Sequence, residues 1–424
     1  MNNQSTLVGL FKEVYAGRIV EAWSFMAKLT NRIKFVQKDL QPGNFYHQPV
    51  DLQLEHGITA AGAGVTPGLG GAPFLPASAG QMQDAQVVGA QLIGRASVSY
   101  EAIARSANSK AAFQGATANI VRRLSRSVVK RLELQVLHGQ RGLGTVGANP
   151  ANGASRTVVL TDESWAGGIW SGMKGASLDL YNSVGTKVST GATSTGDAIR
   201  INSIDTATKS LVLTVPNASD QTLNVANTNI FFETSSPTSE MAGIDVLTGI
   251  TSASPTIFNI SPAAYELWQA NQYPGVGTIS FGKLLQALSL AAQYELSDTA
   301  VAVIPTKAFE VLNTDIAALR QYDVSYTESR AKNGVKALTY FGQTGDLEII
   351  PHAFQKDGLA HIITPSEAAR IGASEPDFIT RQGSEDKLIL ESATSAGSEM
   401  RCYSNQALFF AQPRHSVRLS GLTY

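Results

Sequence analysis

The first 40 residues are predicted to form a mostly helical arm, because apolar side chains recur there every three or four positions, as on one face of a helix. An isolated arm with this much apolar surface has to pack against something. The recurring residues are Leu7, Leu10, Phe11, Val14, Ile19, Trp23, Met26 and Ala27.

Residues 41–100 are predicted to form a long hairpin. In the segment NFYHQPVDLQLEH (44–56) apolar and polar residues alternate from Val50 onward, as in a half-buried strand, and a second strand-like run, DAQVVGAQLIGRASVSY, covers 84–100. Between the two runs, residues 57–81 are mostly Gly, Ala and Pro. Because two strands alone have little core, the hairpin is expected to need cover from another chain.

A single long helix is predicted from about Ala102 to Gly139, with Gly139 as its C-terminal cap. Val121, Leu124, Val128 and Leu132 form an apolar stripe along one face. At 1.5 Å per residue this helix is long for a globular protein unless it serves as a central support.

The rest of the chain changes character twice. Residues 143–255 are rich in Thr, Ser, Asn and Gly with short β-prone runs, which predicts an all-β insertion, either a barrel or a sandwich. Residues 256–380 alternate helical and strand patterns, and residues 381–424 predict two or three strands. The fold class expected from the whole pattern is α+β.

Composition narrows the function classes. The formal net charge is −1 and only 16% of residues are charged, which is not typical of a general polyanion-binding protein but suits a surface largely covered by other protein. Cys402, the one cysteine, cannot form an intramolecular disulfide. We expect no signal peptide and no membrane-spanning segment.

The predicted helix is strongly basic for so neutral a chain. From Ala104 to Arg141 it has eight Lys or Arg and one acid, Glu133. Like charges at i, i+4 weaken a helix, so something acidic is expected to face this basic stripe: acids of the same chain, a neighbouring subunit, or phosphates. Base-specific DNA recognition is not expected, since no helix-turn-helix or zinc framework surrounds it. The stripe consists of Arg122, Arg123, Arg126, Lys130 and Arg131.

No reactive constellation is found, so no catalytic, cofactor-binding or metal site is expected. The Gly-rich tract lacks the Gly-Lys-Ser/Thr of a phosphate loop and fits a hairpin tip. His352 and His361 are able to meet from neighbouring strands, but ordinary strand histidines are the simpler interpretation. Asp346 and Glu348 fit a turn and a strand better than a catalytic carboxylate pair. The tip glycines are Gly62, Gly64, Gly68, Gly70 and Gly71.

The order of these parts resembles the major capsid proteins of tailed bacteriophages, whose fold is shared with herpesvirus capsid floors and encapsulins. The residues behind the resemblance are the flanks of the Gly-rich loop, FYHQPVDLQLEHG and AQLIGRASVSYEAIARS, and the helix NIVRRLSRSVVKRLELQVLHG. LAAQYELSDTAVAVIPTKAFEVLN and the ending ALFFAQPRHSVRLSG add to it. The resemblance covers roughly residues 40–140 and 260–424.

The resemblance implies a division of the chain and a function. The parts would be an N-terminal arm (1–40), an extended E-loop (41–100), a P domain with its spine helix (101–142), the β-rich insertion (143–255), an A domain (256–380) and strands returning to the P domain (381–424). It implies a virion shell subunit, not an enzyme, that forms pentamers and hexamers of an icosahedral capsid around dsDNA. The E-loop glycines would contact a neighbouring subunit.

It further implies assembly in the host bacterial cytoplasm, with scaffolding, portal and decoration proteins as further partners and no membrane. Some relatives crosslink subunits through an E-loop lysine. This chain has no lysine between Lys38 and Lys110, so no such crosslink is expected. No long charged helix precedes the arm, which favours a separate scaffolding protein.

Two other interpretations stay open. An encapsulin-like nanocompartment shell shares the fold, although the β insertion and the chain length favour a virus. A β-rich surface binding protein is disfavoured by the long basic helix and by the missing signal peptide.

Overall fold

The computed structural model describes most of the chain. The predicted helical arm before residue 28 and all five tip glycines lie outside the described residues. The described residues are 28–37, 45–60, 76, 78–99, 110–148, 150–183, 185–188, 198–221, 230–233, 237–296, 298–314, 338–341, 346–378, 390–391 and 397–424.

The chain contains both helices and strands in an α+β arrangement, and one helix is much longer than the others. In chain order the elements are β1 (Lys34–Gln37), β2 (Tyr46–Gln53), β3 (Gln81–Val87), β4 (Ala90–Ser99), α1 (Lys110–His138), β5 (Gly144–Thr145), β6 (Ser155–Val159), α2 (Gly167–Trp170), β7 (Ser177–Tyr181), β8 (Ile199–Asp205), β9 (Ser210–Thr214), α3 (Ala218–Gln221), β10 (Ile230–Phe232), α4 (Ile244–Leu247), β11 (Asn271–Tyr273), β12 (Gly277–Thr278), α5 (Phe281–Ala292), β13 (Ala300–Pro305), α6 (Thr306–Thr314), β14 (Leu338–Phe341), β15 (Asp346–His352), β16 (Leu359–Ile363), β17 (Ala368–Phe378), β18 (Leu390–Glu391), β19 (Gly397–Phe410), β20 (Val417–Ser420) and β21 (Leu422–Thr423).

The long helix α1 lies across a sheet in which β17 and β4 flank β19, and β1 pairs with the outer edge of β17. Val121, Leu124 and Val128 of the predicted apolar stripe pack on Met400 and Cys402 of β19. The helix and β4 approach closely at Gly94, because a Cβ atom there would be 2.4 Å from Val128 Cγ2. The stripe thus faces the sheet, and the basic residues lie on the remaining faces.

The strand predicted over 84–100 is two strands with different partners. β3 pairs with β2 in the hairpin, whereas β4 pairs with β19 in the sheet under α1. The break falls at Val88 and Gly89. A Cβ atom on Gly89 would be 1.8 Å from Asn405 Oδ1, so the chain passes too close to β19 there for a side chain. The residues around the break, VVGA at 87–90, contain no Pro, Asn or Asp, which is why the sequence does not mark a turn there.

Residues 34–37, assigned by the sequence to the helical arm, form strand β1 instead. β1 runs parallel to β17, with Phe35 opposite Arg370. The edge of β17 offers unpaired backbone groups, and pairing with them outweighs a weak local helical pattern. The sequence did not predict β17 itself, since its run AARIGASEPDF has little apolar alternation.

The β-rich insertion is a six-stranded antiparallel sheet in the order β5-β10-β7-β8-β9-β6. A bridge between Val146 and Leu160 links its two edges, so the sheet closes on itself as a small barrel. The interior contains Trp170, Phe231 and the apolar residues of the strands. The closed form agrees with the barrel expectation.

The α/β region is a six-stranded mixed sheet in the order β11-β20-β16-β13-β15-β14. All six residues of β13 are buried, as its apolar run predicts. Helices α5 and α6 pack on this sheet, and Ser280 caps α5 by accepting a hydrogen bond from Lys283 N.

Helix α1 ends at His138, but Gly139 is not a left-handed cap. The left-handed residue is Gln140, with φ of 66°, and it is held by Glu240, whose carboxylate accepts from Gln140 N. Gly139 is small for another reason, because a Cβ atom would be 2.2 Å from Met241 O. The glycine therefore allows the segment around residue 241 to pass close to the end of the helix.

Candidate interaction surfaces

The structure divides the predicted basic stripe into two parts, and Lys130 belongs to the part that its own chain uses. Its Nζ donates hydrogen bonds to Ile169 O at 2.8 Å and Ser171 O at 2.5 Å, both at the end of α2 in the β insertion. The ammonium also lies 5.8 Å from the centre of the Phe354 ring. Burial lowers the pKa of Lys130. This lysine thus joins the long helix to the insertion.

Arg131 has a similar role. It binds Glu240 at 2.6 Å and Glu233 at 3.1 Å. The Glu240 side chain is nearly buried, so Arg131 compensates a carboxylate removed from water. Since Glu240 also holds Gln140, the helix end and the insertion share one carboxylate.

Arg122, Arg123 and Arg126 form the other part, and all three are exposed. Within the described part of the chain none of the three is in an ion pair. We refer to these three residues as the arginine face.

Glu133, the one acid of the helix, is a site that sequence reasoning missed. It is completely buried and accepts hydrogen bonds from Leu29 N at 2.8 Å and Thr30 N at 3.1 Å. Thr30 Oγ1 donates to it at 2.5 Å, and His352 Nε2 at 3.0 Å. Burial opposes the charge, but these donors prevail and lower the pKa of Glu133. An acid alone among basic residues was the available signal.

A second buried polar group lies where α1 ends. Arg418 Nε donates to Asp245 Oδ1 at 2.9 Å, and the His138 ring lies 3.9 Å from the other carboxylate oxygen. Despite burial, the neighbouring positive charges and polar hydrogens hold the pKa of Asp245 well below its ordinary value. Lys356 is buried beside them and donates to Gly142 O, and burial lowers its pKa to about 8.

The two buried histidines of this group are held neutral. His138 Nε2 donates to Phe354 O at 3.0 Å, and burial lowers the pKa of His138 to about 4. His361 Nδ1 is 2.9 Å from Thr248 Oγ1, and burial lowers its pKa to about 3. The suggested meeting of His352 with His361 is not observed, because β13 lies between their strands and each has a different partner.

Asp346 and Glu348, for which the sequence favours a turn and a strand over a catalytic pair, both lie in β15. Both oxygens of Glu348 accept from Arg32, at 2.6 and 2.8 Å, which ties the segment before β1 to β15. In the described residues, no group of three or more His, Cys, Asp or Glu has a geometry suited to a metal ion. Among the helices that are described, none is long and apolar enough to cross a membrane.

The loop end of the hairpin exposes apolar side chains. The exposed fractions are 76% for Leu54, 86% for Ile58 and 66% for Met82. At the same level of the hairpin as Met82, by contrast, Leu52 is buried in a cluster with Trp268 and Phe409. The hairpin is therefore covered on the side of Leu52 and uncovered at Met82 and in the segment after β2.

An open apolar groove of 440 Å³ lies between β4 and α1. Ile93, which is 59% exposed, lies in it, and Arg95 and Arg123 stand at its border. Arg95 is paired with Glu399. The lining residues are Leu92, Ile93, Gly94, Arg95, Ala96, Ile120, Arg123, Leu124, Ser127, Val128 and Arg131.

No protein-family model and no curated protein sequence matches the chain. Solved structures are similar at low sequence identity over nearly the whole length. A chain of the cyanophage A-1(L) capsid asymmetric unit is 10% identical, with 93% of this chain and 92% of that chain covered and a TM-score of 0.49. A chain of Mycobacterium phage Adephagia is 8% identical, with 94% of this chain and 91% of that chain covered and a TM-score of 0.43. A chain of a virus-like particle from Pyrococcus furiosus is 9% identical, with 95% of this chain and 96% of that chain covered and a TM-score of 0.37.

Proposed function

We propose that this chain is a capsid subunit, the major capsid protein of a bacteriophage, which assembles with copies of itself into pentamers and hexamers of an icosahedral shell around a dsDNA genome. The observation that supports this most is that one chain has two uncovered apolar surfaces of different shape. One is the exposed side of the hairpin with Leu54, Ile58 and Met82, and the other is the groove at Ile93.

The two surfaces complement each other in charge as well as in shape. Exposed acids, Asp51 and Glu55, accompany the apolar residues of the hairpin end. Arginines, Arg95 and Arg123, border the groove. A hairpin end that binds the groove of the next copy would cover both apolar surfaces and bring opposite charges together.

Such a contact joins two different surfaces of identical chains, so it is heterologous. Heterologous contacts do not stop at a dimer, and they generate rings when the rotation closes. Five- and six-membered rings of one subunit are the units from which an icosahedral shell is built.

The finer division of the chain belongs to the same proposal. Residues 1–40 are the N-terminal arm, 41–100 the E-loop with its intersubunit glycines, and 101–142 the P domain with α1 as spine. Residues 143–255 are the insertion, 256–380 the A domain and 381–424 the returning strands. The role is structural rather than enzymatic, the place of assembly is the host cytoplasm, and scaffolding, portal and decoration proteins are the further partners.

The hairpin contact is tested by Leu54→Ser/Ile58→Ser, with Val159→Ser/Leu267→Ser as a control that removes two other exposed apolar side chains. We expect the wild-type chain and the control to form rings or closed shells in electron micrographs. The hairpin variant should remain a subunit with an unchanged melting temperature. A wild-type protein that stays monomeric at high concentration contradicts the proposal.

A mixing experiment tests the heterologous geometry. Ile93→Asp should block the groove while it leaves the hairpin intact, and the hairpin variant retains its groove. Each variant alone should be monomeric, whereas an equimolar mixture restores one contact and should give a heterodimer in analytical ultracentrifugation. A mixture that stays monomeric, or one that forms rings, excludes this pairing of surfaces.

A further inference from the structure

The arginine face concentrates positive charge on a small area of α1. Arg122 and Arg126 are one helical turn apart, about 6 Å along the axis, with Arg123 beside them. Like charges at this spacing destabilise a helix. The sequence therefore keeps a charge arrangement that the helix alone does not favour.

Most other arginines and several lysines of the described chain are neutralised by acids. The arginine face differs, because no acid of the described residues is paired with it. The observed ion pairs of the other arginines and lysines are Arg32–Glu348, Arg95–Glu399, Arg131–Glu233, Arg131–Glu240, Lys187–Asp179, Lys209–Asp162, Lys307–Asp357, Arg370–Glu375, Arg401–Glu399, Arg414–Glu266 and Arg418–Asp245.

The partner of Arg122 and Arg126 is not expected to be a folded protein surface. Protein interfaces depend on large apolar or aromatic anchors at their centre. Of the α1 residues whose side chains are described, 120–138, none is an exposed large apolar residue, and the exposed large apolar side chains lie elsewhere in the described chain. They are Phe45, Leu54, Ile58, Met82, Val88, Ile93, Val159, Leu267 and Tyr424.

We propose that Arg122 and Arg126 of the arginine face bind the phosphates of duplex DNA without recognition of base sequence. Each guanidinium presents donors in a planar fork that fits phosphate oxygens, and phosphate contacts need no apolar anchor. A repeating polyanion would also relieve the repulsion between Arg122 and Arg126. The inference rests on the proposed function to the extent that an enclosed genome supplies the DNA.

The structure separates this surface from the one proposed for self-assembly. Arg122 and Arg126 do not line the groove between β4 and α1, whereas Arg123 does. A variant with Arg122→Gln/Arg126→Gln therefore removes two charges from the arginine face and leaves the groove lining unchanged. The matched control is Lys34→Gln/Lys174→Gln, which removes two charges from exposed lysines on β1 and after α2.

The experiment measures binding of the full chain to a fluorescent duplex of about 30 base pairs, in two unrelated sequences, as salt is raised from about 25 mM. We expect Arg122→Gln/Arg126→Gln to bind at least about 10-fold more weakly than wild type and to reduce the slope of log K against log salt by about 1.8. The lysine control should keep the wild-type slope, and both duplexes should behave alike.

Three results would overturn the inference: no duplex binding by the wild type at the lowest salt, an equal loss in the lysine control, or binding of one duplex only. Loss of self-association in Arg122→Gln/Arg126→Gln with DNA binding intact would assign the face to another copy instead. Electron microscopy of the same samples separates the two proposals. If shells form but no salt-sensitive DNA binding is measured, only the DNA-binding proposal is refuted. If the subunits bind DNA but never assemble, only the proposal of a shell subunit is refuted.

Discussion

His352 Nε2 donates a hydrogen bond to the buried carboxylate of Glu133 at 3.0 Å. The other ring nitrogen accepts from Phe354 N, which fixes the tautomer that can donate to Glu133. On its other side the carboxylate binds Leu29 N and Thr30 N. One side chain of the long helix thereby holds β15 and the segment before β1, so three distant parts of the chain meet at a single group.

Replacement of Glu133 by alanine is expected to destabilise the fold by about 3–5 kcal/mol, the usual cost of breaking a buried charged network. The backbone donors of Leu29 and Thr30 would lose their acceptor in a place that water does not reach. The measurement is the urea midpoint of Glu133→Ala at constant m-value.

Glu310→Ala is the matched control, because Glu310 is an exposed acid on another helix, and its effect should stay within about 0.5 kcal/mol. A double-mutant cycle with His352→Ala should show coupling, since both residues belong to one network. Additive effects of Glu133→Ala and His352→Ala would contradict the direct bond.

Acid is expected to weaken the junction at the end of α1. The pKa values of His138 and His361 fall from 6.5 to about 4 and about 3 in the folded chain, so the unfolded chain binds more protons as pH drops below 6.5. The stability is complete above pH 6.5 and decreases as pH falls towards 4, by up to about 1.4 kcal/mol per pH unit for each histidine. Urea midpoints measured between pH 7 and pH 5 test this.

His138→Gln is the informative variant, because a glutamine amide can still donate to Phe354 O but does not titrate. The stability of this variant should depend less steeply on pH, by about one proton. An unchanged slope would mean that His138 is not the titrating group. His47→Gln is the control, since that histidine is half-exposed on the hairpin.

The parts of the fold that depend on local pattern were predictable. The apolar stripe of α1, the buried run of β13 and the amphipathic pattern of α5 all have the secondary structure that their periodicity indicates. Strands β1 and β17 were not predictable, because β1 depends on pairing with β17, and β17 depends on pairing with β1 and β19. The break at Gly89 was equally hidden, since it results from contact with Asn405, far away in the chain.

The basic stripe was visible in the sequence, but its division was not. Lys130 and Arg131 are neutralised by groups more than 35 residues away in the insertion. Periodicity gives the face of a helix but not what covers that face. Glu133 was counted only as the exception to the charge of the helix, and its partners come from both ends of the chain.

Gly139→Ala is expected to destabilise the chain by about 1–3 kcal/mol, the usual cost of overpacking. The added methyl would meet Met241 O at 2.2 Å and Gln135 O at 2.5 Å, and both are backbone atoms with little room to move. Gly167→Ala is the control, because nothing lies within 4 Å of its Cβ position. Equal thermal shifts in the two variants would contradict the close approach.

The division of the basic stripe predicts opposite outcomes for two arginines on one helix. Arg131→Gln should cost about 3 kcal/mol, because Glu240 would stay buried without its cation. Arg126→Gln should be neutral or slightly stabilising, since it removes repulsion from Arg122 and breaks no ion pair of the described residues. Both changes remove the same charge from the same helix, so net charge cannot explain a difference. If the urea midpoints of the two variants coincide, Arg131 does not hold the insertion to α1.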